Sequence, residues 1–170
     1  MDDLRLLYPV HMMDNRLLLP AGTVLSREKL TDFINSNTEA SYQTQTLLTH
    51  GSVKKDLLRL IGKPPYNSIF PDQDKVDEIM IMMEKVHLVL PVLRTLDYFK
   101  EHDYHTYCHI LMVFALSTLI AKDLIPDYKE WIKEVSTSPT HDIGKICVPL
   151  QILKKRTPLT STERSVIDHH

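Results

Sequence analysis

Hydrophobic and polar residues follow two different patterns along the chain. In the first part, short apolar runs such as "LRLLYPVHM" and "NRLLLPAGTVLS" alternate with the turn residues Asn15 and Pro20-Ala21-Gly22. Short apolar runs separated by asparagine, proline and glycine are typical of strands joined by tight turns. The pattern predicts a small β-hairpin near the N-terminus.

Two short helices are predicted next, on either side of a polar loop over residues 36–51. Ser26 stands before "REKLTDFINS" and Ser52 before "VKKDLLRLIGK". Serine is a favoured N-cap because its hydroxyl accepts a hydrogen bond from the first helical turn. Gly62 marks the end of the second helix.

From Lys75 onward, apolar residues recur mostly at steps of three and four, which predicts a long helix. These residues are Val76, Ile79, Met80, Met83, Val86, Leu90, Leu93 and Leu96. Pro91 falls inside the pattern and is expected to kink or divide the helix, since proline removes a backbone donor. The change of pattern places a domain boundary near Pro71. It separates a candidate regulatory α+β segment (1–71) from a helical segment (72–170).

The apolar stripe between residues 73 and 100 has two interpretations. It is either the seam of a homodimer or a face that packs on the chain's own helices. A coiled coil is indicated by about three to four clean heptads, and this shorter repeat favours packing within the chain. Further helices are predicted over 103–122, over "DYKEWIKEV" and from the Thr160–Glu163 capping box onward. The predicted fold class is therefore mostly α.

Composition narrows the class of protein. The chain has 170 residues, of which 43% are hydrophobic and 25% charged, enough to bury the core of one domain. Its net charge of -2 provides no field that would attract a nucleic-acid polymer or an acidic membrane. The longest apolar run, Ile110–Leu116, is far short of the ~20 residues that cross a bilayer, so no membrane insertion is expected. Two cysteines, Cys108 and Cys147, without a secretory leader predict a cytoplasmic setting.

Histidines are concentrated in the second half of the chain. His102, His105 and His109 follow one another at steps of three and four, which places them on one stripe of a helix. Histidines four residues apart can present two imidazoles to one metal ion, although such a pair alone is more often not a ligand set. His109 shares its face with apolar residues of "ILMVFALSTLI" and is expected to point inward.

The stretch "PTHDIGK" offers further ligands. His141 and Asp142 are adjacent, so both reach one metal site only at a helix end or distortion, and Pro139 favours such an irregularity. Asp142 is a candidate bridge between two cations. Gly144 would allow a substrate to approach the backbone closely, and Lys145 is placed to meet a phosphate oxygen.

The predicted last helix ends in two histidines. His170 follows Val166 and Ile167 by four and three residues, so it lies on the apolar face and is a candidate metal ligand. His169 is turned away from that face.

Four linked motifs resemble the HD superfamily of metal-dependent phosphohydrolases, and more closely its HD-GYP branch of bacterial signalling phosphodiesterases. The T-x-x-H helix is Thr106–His109, and the HDxGK motif is His141–Lys145. The "VPLQILK" segment Val148–Lys154 and the "LTSTERSVIDHH" helix Leu159–His170 follow in the family's order. The resemblance covers roughly residues 75–170.

This resemblance implies an HD-type helical bundle that binds two or three divalent ions and hydrolyses cyclic di-GMP. Iron or manganese are the expected metals, with zinc, magnesium or nickel as alternatives, and the nucleophile would be a metal-activated water. The resemblance also implies which residues bind the metals, which are catalytic and which bind the substrate. His105 is an additional candidate ligand, at a position where some members of the family carry a glutamate. The ligands are His109, His141, Asp142 and His170; the catalytic residues are Asp142 and Lys145; the substrate-binding residues are Lys145 and Gly144.

Two departures from the family pattern lead to alternative interpretations. The family continues beyond the position of His170 with the GYP motif and a final aspartate ligand. The chain is therefore expected to be the front portion of the domain, inactive alone. Residues 136–140 are polar where the family has an apolar helix. The alternatives are a non-catalytic HD-fold signalling or scaffold module, and a nucleotide phosphohydrolase with Asp168 as its late aspartate.

Overall fold

The computed structural model describes residues 4–6, 9–11, 17–26, 28–29, 31–32 and 43–168. Its internal contacts divide the chain into two compact units, 1–42 and 43–170. This division differs from the boundary that the sequence predicts near Pro71. The reason is that residues after 43, such as Leu47 and Leu57, are fully buried in the same core as the later helices.

The first unit contains two pairs of antiparallel strands. Strand β1 (Leu4–Arg5) pairs with β4 (Val24–Leu25), and β2 (Val10–His11) pairs with β3 (Leu17–Leu19). Gly22 adopts a φ of 81°, a left-handed conformation that glycine reaches without steric cost, in the turn before β4. The Ser26 hydroxyl accepts a hydrogen bond from the Lys29 amide at 3.2 Å, as the predicted N-cap requires.

The second unit is mostly helical, which confirms the predicted fold class. Its strands and helices are β5 (Thr44–Thr46), α1 (Val53–Ile61), α2 (Gln73–Met83), β6 (His87–Val89), α3 (Leu90–His102), α4 (Tyr104–Leu124), α5 (Tyr128–Thr137), α6 (Leu150–Leu153) and α7 (Ser161–Asp168). Short 3-10 helices lie at Leu47–Thr49, Tyr66–Ser68, Ser138–Thr140 and Ile143–Cys147.

The long helix predicted from Lys75 is divided into α2 and α3, and the strand between them was not predicted. Strand β6 pairs antiparallel with β5, from Thr44 opposite Val89 to Thr46 opposite His87. Pro91 lies in the first turn of α3, where its missing N–H breaks no helical hydrogen bond. Most of the apolar stripe of both helices is buried in the core of this unit, in agreement with packing within the chain.

Helix α4 lies at the centre of the second unit. It packs against α1, α2, α3 and α5, and its Tyr107, Ile110, Leu111 and Phe114 are almost fully buried. By length and composition α4 is the one helix among the described residues that is apolar enough to cross a membrane. Its packing on four neighbours is that of a core helix in a soluble protein.

Helix α5 begins with a side-chain cap that we expect to be worth about 1 kcal/mol. The Asp127 carboxylate accepts hydrogen bonds from the amides of Lys129 at 3.0 Å and Glu130 at 2.9 Å. Asp127→Ala should lower the free energy of unfolding by about 1 kcal/mol because these amides lose their partner. Urea denaturation measures the change. Asp127→Asn keeps the acceptor and should stay close to the wild type; an equal loss in both variants would contradict the capping role.

Candidate metal centre

The 3-10 turn that follows α5 brings His141 to the surface of α4. Pro139 is buried in this turn, and the Ser138–Thr140 segment packs against α4. The polar residues of the turn satisfy backbone carbonyls: the Ser138 hydroxyl donates to the carbonyl of Val135 at 2.8 Å, and the Thr140 hydroxyl to that of Thr137 at 2.7 Å. The polar residues 136–140 therefore form the end of α5 and this turn. The turn is also the irregularity that the sequence predicts at Pro139.

Three candidate ligands meet at this turn. The Nε2 atoms of His109 and His141 are 3.2 Å apart. The Oδ2 atom of Asp142 is 3.4 Å from each of these nitrogens. Among the residues that the structure describes, His109, His141 and Asp142 form a group of donor atoms suited to one metal ion.

The spacing of these donors fits one divalent cation. Ligands about 2.1 Å from a common ion and roughly 90° to 109° apart lie about 3.0 to 3.4 Å from each other. The three observed separations fall within that interval. The Asp142 side chain is 6% exposed, whereas those of His109 and His141 are 46% and 35% exposed. The group therefore combines a buried carboxylate with two imidazoles that solvent can reach.

A backbone carbonyl orients the His141 ring. Nδ1 of His141 lies 2.6 Å from the carbonyl oxygen of Ser138. Because a carbonyl only accepts hydrogen bonds, Nδ1 carries the proton and Nε2 presents its lone pair toward His109 and Asp142. An outer hydrogen bond of this kind fixes the tautomer of a metal-binding histidine. Sequence reasoning did not identify Ser138 in this role.

Lys145 lies directly against the candidate ligands. Its Nζ is 2.7 Å from Oδ2 of Asp142, and its side chain is 19% exposed. Asp142 directly precedes the 3-10 helix Ile143–Cys147, and Lys145 lies within it beside the half-buried Gly144. The ammonium group thus contacts the same carboxylate oxygen that faces the two histidines.

The prediction that His109 points inward is wrong, because its side chain is nearly half exposed. The buried stripe of α4 passes through Tyr107, Leu111, Phe114 and Thr118, and His109 lies off this stripe. Partial burial lowers the pKa of His109, against the opposing effect of the Asp142 carboxylate. The neutral imidazole, which is the metal-binding form, is therefore favoured.

The remaining predicted site residues are placed differently. His105 is exposed one turn before His109 on α4 and lies outside the group of three donors. It is near enough that its charge also acts to lower the pKa of His109. His170 lies outside the described residues, so its role as a ligand stays a prediction.

A second polar cluster was missed by sequence reasoning. The buried carboxylate of Asp56 accepts hydrogen bonds from Ser52 at 2.5 Å, Lys100 at 2.8 Å, Tyr107 at 3.1 Å and Arg59 at 3.1 Å. The signal was present in the sequence, because Asp56 follows Val53 by three residues and lies on the buried face of α1. A carboxylate on an apolar helix face indicates a buried partner.

The comparisons with known proteins identify no family for the chain. Neither a protein-family model nor a curated protein nor a solved structure matches it.

Proposed function

We propose that the chain is a metal-dependent phosphohydrolase of the HD-GYP type that acts in the cytoplasm on the phosphodiester of a cyclic dinucleotide, cyclic di-GMP. The observation that carries this proposal is the convergence of His109, His141 and Asp142, with Lys145 on the same carboxylate. The substrate class rests on the order of the four sequence motifs.

His109, His141 and Asp142 would hold a divalent cation. Two imidazoles and one carboxylate suit iron and manganese as well as zinc. When bound, such a cation neutralises phosphate charge and lowers the pKa of a coordinated water to near neutrality. A second or third ion would require donors beyond this group, for which His170 and His105 are the candidates.

Lys145 supplies a positive charge for the substrate. In the absence of a cation its ammonium neutralises Asp142. A cation held by Oδ2 of Asp142 would compete with the ammonium, which contacts the same oxygen at 2.7 Å. Lys145, once displaced, is free to donate hydrogen bonds to a phosphate oxygen.

The Lys145–Asp142 ion pair also favours one alternative, a non-catalytic HD-fold module. A buried carboxylate that is paired with an ammonium needs no cation to offset its burial. In such a module the histidines would be surface residues, and the segment would act through a binding partner.

The test measures metal content and hydrolysis together. The protein is loaded with Mn²⁺ or Fe²⁺, and the conversion of cyclic di-GMP to a linear product is followed by chromatography. The measurement is made on this chain and on the chain extended through any residues that follow His170 in its gene. We expect stoichiometric metal and metal-dependent hydrolysis in the extended form, both lost in His141→Ala. Metal-loaded protein that leaves the substrate intact would reject the hydrolase and favour the non-catalytic module.

Replacing Lys145 should change metal affinity and hydrolysis in opposite directions. Lys145→Gln removes the group that competes for Oδ2 of Asp142, so the dissociation constant for Mn²⁺ should fall about tenfold. Hydrolysis should fall by about tenfold or more, because the phosphate loses a charged donor. Calorimetric titration and turnover assays measure the two effects. Lys145→Arg keeps the charge and is the matched control; weaker metal binding in Lys145→Gln would contradict the competition.

A further inference from the structure

A surface cavity between α1, α3 and α4 carries a strong positive charge. Its volume is about 420 Å³, within the range of small-molecule sites. It shares no residue with the group of His109, His141 and Asp142. The residues that line it are Asp56, Arg59, Leu60, Lys63, Lys100 and Tyr104.

The carboxylate in this cavity is already neutralised. Asp56 accepts from Lys100 through Oδ2 and from Arg59 through Oδ1, and both cations are thereby held at the wall of the cavity. Burial raises the pKa of Asp56, but hydrogen bonds led by that from Lys100 outweigh it and lower the pKa to about 2. Asp56 therefore stays ionised, and with three cations against one carboxylate the lining has a formal charge of +2.

The cationic side chains at the cavity wall have more N–H donors than their hydrogen bonds to Asp56 use. The guanidinium of Arg59 has five N–H groups, and its side chain is half exposed. It also contacts the hydroxyl of Tyr104. Among the described residues Lys63 forms no ion pair, so its ammonium adds charge that nothing in the lining offsets. The lining thus offers three cationic side chains to an anion.

We propose that this cavity binds a phosphomonoester dianion, held by Arg59, Lys63 and Lys100. A phosphate monoester carries a charge of about -1.5 to -2 at neutral pH and three acceptor oxygens. This charge matches the lining, and a planar guanidinium suits bidentate contact with phosphate. Leu60 and the ring of Tyr104 provide an apolar wall for the organic part of the ligand. A carboxylate ligand would offset only half of the lining charge.

The test is calorimetric titration of the full chain with inorganic phosphate and with AMP, in the presence of EDTA so that no metal contributes. We expect saturable binding of both at millimolar concentration or below. Lys63→Gln and Arg59→Gln should each weaken it about tenfold, the effect of losing one charge-assisted contact. Lys63→Gln leaves the partners of Asp56 intact, so it reports on the ligand even if Arg59→Gln lowers stability.

Two controls separate this site from its surroundings. Lys129→Gln removes one charge from an exposed position on α5 and should leave the dissociation constant unchanged. His141→Ala should also leave the dissociation constant for phosphate unchanged, because His141 lies outside the cavity. This control distinguishes the cavity from phosphate binding at the candidate metal centre, so either proposal can fail without the other. The proposal is overturned if phosphate shows no saturation up to about 10 mM, if Lys63→Gln binds like the wild type, or if acetate binds as tightly as phosphate.

Discussion

Replacing Asp142 by asparagine is expected to weaken Mn²⁺ or Fe²⁺ binding by more than about a hundredfold. Asp142 is the anionic donor of the group, and an amide oxygen is a much weaker ligand for a divalent cation than a carboxylate. Loss of an outer partner of a metal ligand already costs about 10- to 100-fold in affinity, so loss of the ligand's charge should cost more. Calorimetric titration and elemental analysis of the purified protein measure the effect.

Asp168→Asn is the matched control for this experiment. Asp168 is an exposed residue at the end of α7, and it would be a ligand only in a plain nucleotide phosphohydrolase. Unchanged metal binding in Asp168→Asn, together with loss in Asp142→Asn, is the expected result. Metal retained by Asp142→Asn at wild-type affinity would contradict the assignment of the site. Melting temperatures of both variants exclude unfolding as the cause.

The sequence predicted the members of the candidate metal centre better than their surroundings. His109, His141 and Asp142 were identified through the spacing of linked motifs, and the turn at Pro139 through the conformational limits of proline. The exposure of His109 was not predictable from its apolar neighbours, because a helix face that borders the core also carries apolar residues. Which stripe of α4 becomes the buried one depends on where α1, α2, α3 and α5 pack.

Strand β6 is a second feature that the local sequence pattern did not predict. Periodicity correctly predicted helix on both sides of the strand, and the missing backbone donor of Pro91 predicted an interruption near that residue. The strand itself depends on pairing with Thr44–Thr46, about 40 residues earlier in the chain. Local pattern carries no information on such a pairing, because an apolar stretch as short as "VHLVLPVL" fits a helix or a strand.

Asp56→Ala is expected to lower the free energy of unfolding by about 2 kcal/mol. The variant removes the acceptor shared by Lys100, Tyr107 and Ser52. Leaving a buried hydrogen-bond donor without a partner typically costs about 1 to 3 kcal/mol, and the Tyr107 hydroxyl that donates to Asp56 is almost fully buried. The side chains of Lys100 and Arg59 are 37% and 51% exposed, so water solvates their charges once Asp56 is removed. Urea denaturation measures the loss. The control is Asp97→Ala on α3, whose exposed pair with His50 should be worth less than about 1 kcal/mol.

The same cluster predicts how stability depends on pH in the acid range. The pKa of Asp56 is about 2 in the folded chain, below its usual value of 3.8, so folding favours the ionised form. The stabilisation is fully present above pH 3.8 and is lost as the pH falls from there toward 2, since the unfolded chain takes up the proton first. Asp56→Asn removes this titration, so its unfolding free energy should fall less steeply than that of the wild type across the interval. Parallel curves for the two proteins, measured by urea denaturation at each pH, would show that the hydrogen bonds to Asp56 do not stabilise its charge.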